Sequence, residues 1–278
     1  MTFLFGTVGA PTSTPKIPGG SVGAISEINR LGLSSLELGW VRSLKISEST
    51  CLKIYDTAIE QNVALSVHAS YYINLNTDEA SWPSHKQRLF NAAYYGSIAG
   101  VSDIIFHPGS YKGVESIKVM PIVIGRLNDL QNELVQNGIS VTLRPETMGK
   151  TSLIGSVADL LEICTQVENC FPCLDFPHIF ARTGGKKANC FSDFVEILSD
   201  YESFFGAVSL QSLHIHASGI EFTDSGEKKH LPLNDSLFNY QELLSALHSK
   251  NCGGRILCES PDMEKDALRL RDYWESLL

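Results

Sequence analysis

Apolar and β-branched residues gather along this chain in short runs, which alternate with longer stretches where they recur at every third or fourth position. The short runs predict eight strands: Thr2–Gly9, Ser35–Val41, Val63–Ala69, Asp103–Gly109, Ser140–Glu146, Phe171–His178, Ser209–Ser218 and Arg255–Pro261. The longer stretches predict helices over Ser47–Gln61, Ser84–Ala99, Glu115–Asn137, Ser156–Val167, Ser192–Phe205 and Asn239–Lys250, with a last one from Glu264 onward. Several open on Ser or Asn, whose side chains accept hydrogen bonds from the free amides of a first helical turn. Strand and helix alternate with no Pro- or Ser-rich linker and no low-complexity tract. The pattern therefore predicts one α/β domain over residues 1–278, a closed parallel (β/α)8 barrel. A doubly wound open sheet is the alternative, but neither GxGxxG nor GxxxxGK[ST] follows the first strand.

The chain has 278 residues, 43% of them hydrophobic, enough for one large core and too apolar for a disordered segment. No stretch reaches the roughly 18 uncharged apolar residues of a membrane helix. The start lacks a basic segment ahead of an apolar run. These features read as a cytoplasmic protein with no membrane partner, no obligate protein partner and a monomeric state. Seven cysteines, an odd number without regular spacing, read as reduced thiols, and Cys170-Phe-Pro-Cys173 as an ordinary pair at a strand start.

A barrel places its chemistry at the carboxyl ends of its strands. Those ends carry His68, His107, Glu146, Asp175, His178, His214, His216 and Glu259, with His230 in the long loop after the seventh run. Six of the eight histidines belong to this set, and only His85 and His248 fall on predicted helices. Burying so many imidazoles and carboxylates costs several kcal/mol per unpaired charge, whereas divalent cations satisfy them directly. Mixed His and carboxylate ligands suit zinc, with manganese an alternative, and they outnumber the three or four that one catalytic zinc takes. Two or three ions are expected, an arrangement suited to phosphoryl hydrolysis.

The segments HASYYINL, FHPGS, PETMG, DFPH, HIHAS and CESP, in this order, resemble the signature segments of the endonuclease IV type of apurinic/apyrimidinic endonuclease. The resemblance runs from about the second strand to the end. It implies a TIM barrel that cuts duplex DNA on the 5′ side of abasic sites with three zinc ions. It implies His68, His107 and Glu146 at a first ion, Glu146 bridging to a second completed by Asp175, His214 and Glu259, and His178 and His230 at a third. The family's remaining ligand to the third ion is an Asp two residues before the last histidine, and Lys228 stands there. Either Glu227, one residue earlier, replaces it through a different bend of the loop, or the third ion is weakly held or absent. Tyr71 and Tyr72 fall where the family has a loop that holds kinked DNA. The segment ELGWVRSLK departs from the family's DNA-contacting loop, leaving Arg42 as its candidate phosphate contact.

A formal charge of -9 argues against a long non-specific DNA footprint. Arg42, Lys112, Lys150, Arg182, Lys186, Lys187, Lys228 and Lys229 nevertheless fall in loops of the expected active face and can steer a polyanion. The competing reading is a sugar isomerase or epimerase of the xylose-isomerase-like barrels. Glu146, Asp175, His214 and Glu259 would then surround one metal, with the two glutamates as proton-transfer bases. Such an enzyme has no need of the further set His68, His107, His178 and His230. A catalytically idle, binding barrel is a third reading.

Overall fold

The computed structural model describes residues 3–42 and 44–278, so Thr2, where the first predicted strand begins, lies outside the described residues. The eight predicted strands form one parallel sheet: β1 (Phe3–Val8), β2 (Ser35–Gly39), β3 (Ala64–His68), β4 (Asp103–Phe106), β5 (Thr142–Pro145), β6 (Cys173–Asp175), β7 (Leu213–Ala217) and, after an inserted hairpin, β10 (Gly254–Cys258). Their order is β5-β4-β3-β2-β1-β10-β7-β6. Parallel bridges from Leu143 to Cys170 and from Glu146 to Cys173 join the two outer strands and close the barrel. The Cys170–Cys173 pair thus lies at the closing seam, and all seven cysteines are free thiols.

Helices α2 (Glu48–Gln61), α3 (Trp82–Ile98), α4 (Ser116–Gln136), α5 (Val157–Gln166), α7 (Phe191–Phe205), α8 (Tyr240–Ser249) and α9 (Glu264–Glu275) match the predicted helices to within a few residues. Ser47, Ser156 and Asn239 accept from the amides of Thr50, Asp159 and Glu242, the capping role their positions predicted. A further helix, α1 (Gly20–Arg30), was not among those predicted. It opens after Gly19 without a capping side chain, yet it buries Ala24, Ile25 and Ile28 at helical spacing.

Two predicted strands end differently. The sixth stops at Asp175, because the Asp175 carboxylate accepts from His178 N at 2.6 Å and caps a short helix, α6 (Phe176–Arg182), with Pro177 in its first turn. His178 is therefore a helical residue. The seventh starts only at Leu213, since Ala207–Gln211 coils into a 3₁₀ helix. The long loop beyond it contains the antiparallel hairpin β8 (Gly219–Thr223) and β9 (Gly226–Leu231).

The barrel interior is polar. Asp103 accepts from Arg144 Nε at 2.6 Å and lies 3.2 Å from Arg255 Nη2. Burial pushes the Asp103 carboxyl up, but the two guanidinium groups outweigh it and hold it well below the usual carboxylate range. This ion cluster forms the floor beneath the carboxyl-terminal mouth.

Candidate metal centre

The strand ends bring the predicted ligands to the barrel mouth, and Glu146 stands at their centre. Its Oε2 lies 3.1 Å from His68 Nε2 and 3.3 Å from His107 Nε2. Its Oε1 lies 3.4 Å from His178 Nδ1 and 3.5 Å from His216 Nδ1. Among the described residues four groups of potential ligand atoms are each mutually within 4.8 Å: His68, His107 and Glu146; Glu146, Asp175, His216 and Glu259; His178, Glu227 and His230; and, one layer lower, Cys173, His214 and His216.

Neighbouring carbonyls set the imidazole tautomers. His68 Nδ1 is 3.0 Å from the Ala69 carbonyl and His178 Nδ1 is 2.9 Å from that of Thr147. If each Nδ1–H donates there, each Nε2 lone pair faces a carboxylate oxygen, Glu146 for His68 and Glu227 for His178. Two acceptors so close need a cation between them, either a proton or a metal ion. Burial pulls the His68 imidazole down, but hydrogen bonding to Glu146 and its charge outweigh this and raise it to about 9. Burial and the neighbouring Glu259 and Glu146 push Asp175 well above the usual carboxylate range. Glu146 is held well below it, since His107, His178 and His216 outweigh its burial. The cluster is thus short of positive charge overall. Glu146 Oε1, Asp175 Oδ2, His178 Nε2 and His216 Nδ1 are all buried without hydrogen-bond partners. Such atoms carry a desolvation cost that divalent cations remove, so the residues present fit metal ions. His107 and Glu259 are 22% and 13% exposed, which gives the set an outer face open to a substrate.

His214, expected in the second set, lies one layer below it. On β7 it stands level with Cys173 and Arg255, whereas His216 stands level with Asp175. His214 Nε2 instead meets Glu37 Oε2 at 2.9 Å, and burial lowers its imidazole to about 4. Glu37 was not anticipated. Fully buried, it also accepts from Ser66 and lies 3.2 Å from His216 Nε2, though not aligned for a hydrogen bond there. The opposite ring nitrogen, His216 Nδ1, faces Glu146 and Glu259. The signal in the sequence was a lone carboxylate inside the apolar run SLELG.

The hairpin resolves the departure at Lys228. A bulge between β8 and β9 pairs Glu221 with Lys229 but Phe222 with Glu227, so Lys228 is the extra residue. The bulge shifts the alternation by one, and Glu227 takes the face of His230 while Lys228 reaches out to Glu221 at 2.5 Å. Close approach permits this, because a Cβ on Gly149 would stand 2.5 Å from Glu227 Cβ, and one on Gly226 2.2 Å from the Gly149 carbonyl oxygen.

Of the predicted substrate contacts, Tyr71 stacks on the His107 ring at 5.2 Å, and Tyr72, 62% exposed, lines a pocket with Arg42. Lys186 and Lys187 are exposed in the loop after α6, and Lys229 is exposed but lies 3.3 Å from Glu221. Arg182 is taken up internally, donating to the Met148, Lys150 and Leu153 carbonyls. His85 accepts from Asn74 N and His248 packs edge-on against Trp274.

A closed parallel barrel with a His and carboxylate cluster at its mouth defines the class. The sequence profile of the xylose isomerase-like TIM barrels matches residues 25–277, and the chain belongs to that family. It is 33% identical to an uncharacterized protein of Methanocaldococcus jannaschii over 275 residues, 99% of this chain and 97% of that protein. It is 29% identical to a probable endonuclease 4 of Staphylococcus carnosus over 159 residues, 55% of this chain and 51% of the relative. Among solved structures, endonuclease IV from Thermus thermophilus superposes with a TM-score of 0.74 at 19% identity, covering 98% of this chain and 100% of that one. A D-tagatose 3-epimerase-like protein superposes at 0.72 and 17% identity, covering 97% and 96%. The family expected from the motifs is borne out. No helix among the described residues is long and apolar enough to cross a membrane.

Proposed function

We propose that the protein is a zinc-dependent apurinic/apyrimidinic endonuclease that hydrolyses the phosphodiester 5′ of abasic sites in duplex DNA. The observation that carries this reading is the two ligand groups beyond the one an epimerase would use. His68 and His107 converge on one oxygen of Glu146, and His178, Glu227 and His230 form a group of their own.

In this reading His68, His107 and Glu146 hold one ion, Glu146, Asp175, His216 and Glu259 a second, and His178, Glu227 and His230 a third. When bound, such ions lower the pKa of water and neutralise charge on the attacking and leaving oxygens of a phosphodiester. Glu146 would be the ligand common to neighbouring cations, and the charge of Glu37 beside His216 Nε2 would favour the orientation in which Nδ1 faces Glu146. Tyr71 forms a rim beside the ligands, against which the sugar without its base can rest. Lys186, Lys187 and Lys229 meet backbone phosphates as the duplex approaches.

Glu227→Gln is expected to release about one ion per chain on mild dialysis and to lower activity at limiting zinc, because a neutral amide is a weaker ligand. Lys228→Asp is expected to leave the metal content as in the unmodified protein, since that side chain faces Glu221. Elemental analysis of the dialysed proteins checks both, and a Glu227→Gln variant that keeps the full metal content of the unmodified protein would remove Glu227 as the third ion's acidic ligand.

Incision of a duplex with one abasic analogue should fall steeply as salt rises, and neutralising Lys186, Lys187 and Lys229 should flatten the slope by roughly one unit per lost phosphate contact. An epimerase acting on a neutral sugar releases no counterions and would be indifferent to salt. Turnover of a ketose with no nicking at any salt or zinc concentration would replace the nuclease reading with the epimerase one.

A further inference from the structure

Beside the metal centre lies a pocket of about 380 Å³ that joins Arg42 and Tyr72, two of the expected DNA contacts, to Trp40, Arg88 and Asn91, to which no role is assigned above. Trp40 and Tyr72 supply aromatic surface, Arg42 from the β2 loop and Arg88 from α3 supply positive charge, and Asn91 lies on the same face of α3 one turn beyond Arg88. Its volume falls within the range of roughly 300–1,000 Å³ of small-molecule sites.

The lining is poised for a particular ligand. Arg88 donates only to the Ser84 carbonyl and hydroxyl, and among the described residues neither Arg88 nor Arg42 has a carboxylate within ion-pair distance. In a protein of charge -9, two guanidinium groups left unneutralised at one pocket favour an anion. Gln87 donates to Asn91 Oδ1 at 2.7 Å, which fixes that amide and leaves its NH2 free to donate. Exposed aromatic faces, a pair of arginines and an oriented amide together match a planar heterocycle, its phosphate and its polar edge.

The pocket is also tied to the metal centre. Trp40 N donates to the His68 carbonyl at 3.0 Å, Tyr71 N to the Val41 carbonyl at 2.8 Å, and Ser70 Oγ to the Arg42 carbonyl at 3.3 Å. The loop that carries Trp40 and Arg42 is therefore fastened to the loop running from His68 through Tyr71.

We propose that this pocket binds one unstacked nucleotide, with its base against Trp40 and Tyr72, its phosphate on Arg88 and Arg42, and Asn91 donating to the base edge. Only the identification of that nucleotide as part of the cleaved substrate rests on the nuclease reading. The pocket then holds the strand at a second point next to the reacting phosphodiester.

Titration of the purified protein with deoxyadenosine monophosphate, followed by tryptophan emission, tests the site directly. Saturable quenching is expected, lost in Trp40→Phe and shifted at least about tenfold to weaker binding in Arg88→Ala, a loss on the scale of one base–aromatic stack or one charge-assisted contact. Deoxyribose 5-phosphate and inorganic phosphate are expected to bind far more weakly. Equal binding of deoxyribose 5-phosphate, unaltered affinity in Arg88→Ala, or no quenching at millimolar nucleotide would overturn the proposal. In parallel, Arg88→Ala and Trp40→Phe are expected to raise KM for an abasic duplex more than they lower kcat. Nucleotide binding without incision of that duplex would leave the pocket standing and remove the nuclease reading. Incision with KM unaltered in both variants, and no quenching, would do the reverse.

Discussion

Glu146→Gln is expected to abolish activity and strip most of the metal while the barrel stays folded. The two oxygens of Glu146 face different partners, Oε2 toward His68 and His107 and Oε1 toward His178 and His216. A carboxylate serves cations on both sides, whereas an amide offers one neutral oxygen and a hydrogen-bearing nitrogen that repels a second cation. Loss of several kcal/mol of transition-state stabilisation corresponds to roughly a thousandfold or greater fall in rate. The fold survives because Glu146 sits just beyond β5, and its amide still donates to the Phe106 carbonyl at 3.0 Å. Elemental analysis, circular dichroism and turnover check the three parts separately. Near-normal turnover in a folded variant would sink the shared-ligand role.

Asp103→Ala is expected to have the largest effect on stability. Asp103 is 4% exposed and neutralises both Arg144 and Arg255 inside the barrel. Its removal strands two buried cations, although Arg144 keeps the Ser212 carbonyl and Arg255 the Ser102 hydroxyl. Breaking a buried ion pair from one side costs about 3–5 kcal/mol, which lowers the melting temperature of a chain of this size by roughly 10 °C. Because the folded carboxyl is held below its unfolded value, its stabilisation is fully present above the ordinary carboxylate range and is lost as pH falls through that range and below. The gap in denaturant midpoint between the unmodified protein and Asp103→Ala should therefore narrow below about pH 4. A gap that stays constant into acid would show that the carboxylate's charge is not what stabilises the floor.

The sequence by itself determined the eight strands, most of the helices and the concentration of ligand-type residues at the strand ends. Hydrophobic periods of 2 and 3.6, caps such as Ser156 and the breaks between runs are local properties of the backbone and its neighbours, so they survive without three-dimensional context. The sequence also placed Glu146 at a strand end, because a barrel fixes which end of a strand meets substrate, and the resemblance to the endonuclease IV type implied that two ions share it. Tertiary structure decided what depends on register and height. His214 and His216 point to the same side of β7, and only pairing with Cys173 or Asp175 on β6 separates the residue nearer the floor from the candidate ligand at the mouth. Glu227 and Lys228 exchanged roles through one bulged residue, which inverts the alternation of a strand without altering its composition. Glu37 became a partner of two histidines, and Trp40 a neighbour of Arg88 and Asn91, only when strands and helices distant in sequence closed into a ring. Such contacts are set by how the elements close around one axis, and no local pattern encodes that closure.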